Sequence, residues 1–127
     1  MLTAFGIAYL ASDTLRFRAS GETATATSIL LQGSLEVSSG AAFGQGVRCV
    51  GGTLLRLYVD TAVGGGVIVP DVGDPSVSAR SAELGDPLAP GAKRFYLMYY
   101  RDPVVLGGCP AASTFNATGT GSVTWWP

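Results

Sequence analysis

Between residues 14 and 18 the chain places Leu15 and Phe17 on one side of an extended segment and Arg16 and Arg18 on the other. Side chains of a strand alternate between faces, so this period of two predicts a half-buried strand. The pattern recurs. Leu55, Leu57 and Val59 alternate with Leu54, Arg56 and Tyr58, and Phe95, Leu97 and Tyr99 alternate with Tyr96, Met98 and Tyr100. Val77 and Ala79 alternate with Ser76, Ser78 and Arg80, and Val123 and Trp125 with Thr124 and Trp126. Turn-forming Gly, Pro and Asp residues separate these runs. Read this way, strands are predicted over 2–10, 13–19, 27–37, 47–50, 53–60, 66–69, 76–80, 93–101 and 121–126, with loops over 70–75 and 86–91. No stretch carries a helical period, and residues 41–50 hold too much glycine for a helix interior. The expectation is an all-β protein: one antiparallel β-sandwich domain over 1–127, jelly-roll or immunoglobulin-like, with about seven to nine short strands.

Composition sharpens this picture in one respect. Apolar residues make up 47% of the 127, enough for a core, but charged residues only 13%, about half the usual share. The surface must be covered largely by the eleven serines, eleven threonines and the glycines. Such a surface is typical of exported β-proteins and opposes contact weakly. The net charge is −1 and the seven arginines are scattered, so a nucleic-acid partner is not expected. No apolar run approaches the roughly 18 residues of a spanning helix, so no membrane span is expected. The apolar start, residues 1–11, lacks a basic leader and does not read as a signal peptide.

The chemistry of the chain points away from catalysis. It contains no histidine, which removes the commonest general base and the commonest metal ligand. There is no G-x-S-x-G elbow, and the glycines around Gln45 read as a turn rather than a phosphate loop. The acidic residues sit mostly beside Gly or Pro, where Asp favours turns. Their sharpest grouping, Asp71 and Asp74, is a weak calcium candidate that lacks an ordered ligand spacing, so a plain turn is the stronger expectation. We therefore expect a non-enzyme without cofactor or resident metal.

The aromatics are more telling. Tyr96, Tyr100, Trp125 and Trp126 fall on both faces of two expected strands, so they cannot all be core. They are candidates for a subunit interface, where Tyr and Trp are enriched, or for a sugar-stacking platform. Cys49 and Cys109 lie 60 residues apart without a CxxC spacing or a third ligand. A structural disulfide is expected in preference to a metal or redox pair, and it implies an oxidising compartment. Closing such a loop contributes roughly 3–4 kcal/mol.

The chain also resembles an uncharacterised secreted all-β domain that recurs in planctomycete and myxobacteria-like extracellular proteins. The residues that carry the resemblance are Asp13-Thr14-Leu15, Leu31-Gln32-Gly33, Phe43-Gly44-x-Gly46-x-Arg48-Cys49-x-Gly51-Gly52, Gly73 to Ser78, Tyr96-x-x-x-Tyr100-Arg101-Asp102, Cys109, and Phe115-Asn116-x-Thr118 with Val123-Thr124-Trp125. The resemblance spans nearly the whole chain. It implies an exported surface module with its two cysteines paired, often following a longer region, so that Met1 begins a processed or truncated form. The functional expectation is an extracellular or cell-surface structural module that binds a second copy or another surface protein, and that can build a fibre. The alternative is a carbohydrate-binding module using exposed aromatics.

Overall fold

The computed structural model describes residues 1–22, 24–43, 46–101 and 115–127. Eight strands and one helix are present among them: β1 (Leu2–Phe5), β2 (Arg16–Ala19), β3 (Thr27–Phe43), β4 (Gly46–Thr61), β5 (Val67–Val69), α1 (Val77–Glu83), β6 (Lys93–Arg101), β7 (Phe115–Ala117) and β8 (Gly121–Thr124). They form two antiparallel sheets. One has the order β1-β2-β5; the other has the order β4-β3-β6-β7, with β8 also paired to β6.

The alternation that predicts the strands also decides what lies between the sheets. Leu15, Phe17, Ala19, Val67 and Val69 from the small sheet meet Leu30, Leu57, Tyr58, Tyr96, Met98 and Trp125 in one core. The Phe17 and Tyr96 rings pack with centroids 4.7 Å apart, within the usual range for aromatic pairs. At the two seams β1 approaches β8 and β4 approaches β5, which gives the layers a nearly closed outline.

The strands differ from expectation in length. Residues 47–50 and 53–60 belong to one strand, and β3 and β4 are 17 and 16 residues long. Such a ribbon would overrun its sheet if straight. Instead its register breaks between Gly33 and Leu35, and the distal part turns back over the outer face. Val50 is fully buried there, against Leu31 and Leu97, with Phe95 and Tyr99 beside them. Glycine makes this fold-back possible. A Cβ on Gly33 would stand 2.1 Å from Val50 Cγ1 and 2.7 Å from the Gly51 carbonyl oxygen. Gly52 takes φ +72°, a conformation that favours glycine. The Thr53 N–H, freed by the break, donates to Ser34 Oγ at 2.8 Å.

Residues 76–80, expected as a strand, are helical instead. Ser76 caps α1 by accepting the Ala79 N–H, and Val77 and Ser81, one turn apart, face the core. Gly85 at φ +97° ends the helix, its N–H donating to the Ala82 carbonyl while the Asp86 N–H donates to that of Ser81. This is a Schellman ending. A five-residue window fits both periods, and the cap and the glycine stop decide between them. The N-terminal strand is also shorter than expected, because β1 ends where Gly6 adopts φ +92°.

Candidate functional site

Beyond Gly6 the chain runs briefly beside the residues that follow β8 before turning at 10–12. Tyr9 and Trp126 form a parallel bridge; the Leu10 N–H donates to the Trp126 carbonyl at 2.8 Å, and the Trp126 N–H to the Ala8 carbonyl at 3.0 Å. Alternation sorts the side chains. Ala8 and Leu10 pack onto the core, and Trp125 lies inside it. Their neighbours point out: Ile7 is 50% exposed, Tyr9 48% and Trp126 57%. Phe5, preceding the Gly6 bend, continues this row at 38% exposure. Four large apolar side chains are thus exposed on these two neighbouring segments, and clustered apolar exposure marks interaction sites.

Phe5 borders a basic patch. Phe5 pairs with Arg16 and Thr3 with Arg18, so all four side chains lie on the outer face of the small sheet. The two guanidinium carbons stand 5.8 and 5.6 Å from the Phe5 ring centroid, within cation–π range. Arg16 Nε donates to the Pro70 carbonyl at 3.0 Å.

Of the four aromatics expected at an interface, Tyr96 and Trp125 are instead core residues, each fully buried. The strand places alternate members inward, and both then need polar partners. Trp125 Nε1 donates to the Tyr96 hydroxyl at 3.2 Å, and that hydroxyl donates to Gln32 Oε1 at 2.9 Å. Gln32 Nε2 donates to Ser81 Oγ at 2.8 Å and to Asp86 Oδ2 at 3.1 Å. Asp86 also accepts two bonds from Arg94, at 2.8 and 2.9 Å. The chain of bonds joins the residue after β8 to β6, β3 and α1 through the interior. Burial pushes the Tyr96 phenol well above its usual range, so it remains a donor. Trp126 keeps its exposure and Tyr100 is half-buried.

Two carboxyls in this structure have opposite pH behaviour. The Arg94 guanidinium beside Asp86 holds its carboxyl below the ordinary range. The stability this gives is present above the unfolded-state pKa and is lost as pH falls through the folded one. Glu22 is buried, only 8% exposed, with Ser28 Oγ donating to Oε2 while Oε1 has no partner among the described residues. Burial raises its pKa, so its contribution is present at acid pH and lost as pH rises through the folded value. Glu22→Gln is therefore expected to raise the thermal midpoint at pH 7 and to leave it nearly unchanged near pH 4. An equal shift at both pH values would contradict this assignment.

The weak calcium candidates are committed to the backbone. Asp71 Oδ1 accepts the Val72 N–H at 2.7 Å, and Asp74 Oδ2 accepts the Asp71 N–H at 2.9 Å. Asp13, which lines the same hollow of about 270 Å³, accepts from Leu15 and Ser78. Among the described residues no three acidic or cysteine side chains are placed to hold a metal ion. Cys49 is half-buried, and Cys109, with the disulfide expected between them, lies outside the described residues. No helix among the described residues is long and apolar enough to cross a membrane.

A second hollow, of about 620 Å³, lies along β4 between Arg56, Tyr58, Arg80 and Glu83. Its polar groups serve the fold: Arg80 Nε donates to the Leu57 carbonyl at 2.9 Å, and the Tyr58 hydroxyl to the Pro75 carbonyl at 2.7 Å. Such contacts blunt an exposed strand edge.

Comparison with protein-family models, curated proteins and solved structures finds no match for this chain. The surface itself must carry the functional reading. Sequence reasoning pointed to Trp126 and to the apolar segment 1–11, but did not name Phe5, Ile7 and Tyr9 as its outward residues. The signal was present in the alternation of Ile7 and Tyr9 with Ala8 and Leu10, but nothing local shows that this segment lies beside Trp126.

Proposed function

We propose that this chain is a self-associating structural module of the cell surface or extracellular matrix, related to the secreted domain that it resembles. One observation carries the reading: Phe5, Ile7, Tyr9 and Trp126 expose apolar surface on two neighbouring segments, while their alternating neighbours are committed to the core. The low charge supports it, because few like charges oppose a second copy. Pairing of Cys49 with Cys109 in an oxidising compartment fits the same setting. A repeated contact of this kind makes a dimer if it closes and a fibre if it does not.

The test is the solution mass of the oxidised protein across a concentration series. The mass is expected to rise with concentration, and the double variant Tyr9→Ser, Trp126→Ser to remain monomeric with an unchanged circular dichroism spectrum. A wild-type monomer at every concentration would remove the proposal.

A second reading is favoured by the adjacency of Tyr9 and Trp126 in one bridge: two exposed rings side by side form a surface on which a sugar can stack. Trp125 is buried, so glycan-dependent quenching of fluorescence would report Trp126. Quenching that disappears in Trp126→Phe supports this reading, and none across a broad glycan panel excludes it.

A further inference from the structure

Basic and acidic groups meet at one end of the small sheet, where Arg16 lines one hollow with Asp71, Val72 and Asp74. Arg16 and Arg18 flank Phe5, and Arg18 pairs with Ile68 of β5. Three residues beyond Ile68, the exposed turn Asp71-Val72-Gly73-Asp74 begins. Val72 at its tip is 95% exposed. Among the described residues neither Arg16 nor Arg18 has a carboxylate within ion-pair distance; the ion pairs present are Arg80–Glu83 and Arg94–Asp86. Among the described residues Arg18 donates no hydrogen bond from its planar fork of donors. Asp71 and Asp74 form no ion pair among the described residues, and each accepts one backbone N–H.

Two chemistries can be set against this face. A polyanion such as an acidic polysaccharide would meet the arginines but also the carboxylates at Asp71 and Asp74, which repel it. A second copy of the chain meets both. Under a two-fold operation a patch faces itself, so that residue i of one copy meets residue j of the other and the reverse. A basic and an acidic group on one patch then form two equivalent pairs, and the apolar Phe5 and Val72 are covered in the same contact.

We infer that this face is the contact between two copies of the chain, with Arg18 of each set against Asp71 of the other and Phe5 and Val72 buried between them. The inference rests on the self-association proposed above and names its geometry. The exposed apolar side chains supply affinity. The charges supply register and speed of encounter, because exposed ion pairs contribute little net energy but steer association strongly.

The experiment is charge exchange, read as the association constant of the full chain. Arg18→Glu and Asp71→Lys, made singly, are expected to weaken association about tenfold, and the double variant to return to near wild type. Val72→Lys, at a side chain with almost no contact in the monomer, is expected to weaken association without moving the thermal midpoint. Raising the salt concentration should slow association of wild type and of the double variant alike. Singles without effect, while Tyr9→Ser, Trp126→Ser abolishes association, would overturn this contact and leave self-association standing. Singles that fail without rescue in the double variant, with thermal midpoints unchanged, would also overturn it. Retention of the wild type on a sulfated polysaccharide, lost in Arg18→Glu but kept in Val72→Lys, would give the face to a polyanion instead.

Discussion

Gly33→Ala is expected to lower the thermal midpoint by about 10 °C, from roughly 3 kcal/mol of overpacking at a few degrees per kcal/mol. The new methyl would stand 2.1 Å from Val50 Cγ1 and 2.7 Å from the Gly51 carbonyl. A side-chain clash alone can relax by rotation, but this one includes backbone. The distal part of the β3–β4 hairpin must therefore lift from the outer face, exposing Leu31, Val50 and Leu97. Amide exchange should rise at residues 50–53 and stay slow at Leu30 and Met98, which face the other side of the sheet. Adding Val50→Ala relieves the first contact and not the second, so rescue is expected to be partial. A midpoint lowered by less than about 2 °C would show that the fold-back does not depend on this glycine.

Gln32→Ala should cost about 3–5 kcal/mol, combining a cavity with the loss of a buried hub. Gln32 is fully buried, and removing its amide leaves the Tyr96 hydroxyl without its acceptor and Asp86 without one of its donors. Tyr96→Phe removes one atom from the same chain of bonds. It orphans Trp125 Nε1 and Gln32 Oε1, and a smaller loss, about 1–3 kcal/mol, is expected. Because the two residues share a bond, the losses should not add in the double variant; the sum of the singles would exceed the measured loss. Strict additivity, measured by denaturant unfolding, would show that the bonds act separately. The Arg94–Asp86 end of the chain gives this region an acid sensitivity: wild-type stability is expected to decline below roughly pH 4, and the decline to lessen in Asp86→Asn.

These residues also show where sequence reasoning stopped. Gln32 stands between Leu31 and Gly33 and reads as an ordinary position in a strand. Its importance depends on Ser81, Asp86 and Tyr96, which are 49, 54 and 64 residues away. Alternation said that Tyr96, Tyr100, Trp125 and Trp126 cannot all be core but not which of them are, because the partners of the Tyr96 hydroxyl and the Trp125 indole N–H lie far away in sequence. Gly33 read as one position inside a strand over 27–37 and Gly51-Gly52 as the break between two strands, whereas the structure uses them to let one continuous hairpin bend back across its own sheet.

What the amino-acid order determined by itself is the class and the local geometry. Alternation of side chains is a property of neighbouring residues, so Leu15, Phe17, Leu97 and Tyr99 declared strands and their faces without any partner. The all-β character and the loops at 70–75 and 86–91 follow from it, although at 76–80 a serine cap and a glycine stop outweighed the alternation. Tertiary structure alone decided which faces become interior, because burial depends on what lies opposite. It put Leu31 and Leu97 beneath Val50, drew Tyr96 and Trp125 inside, and laid Tyr9 beside Trp126 across 117 residues of chain. The exposed apolar cluster exists only in that pairing: two segments, each with outward side chains, become a surface when backbone bonds between distant parts of the chain bring them together.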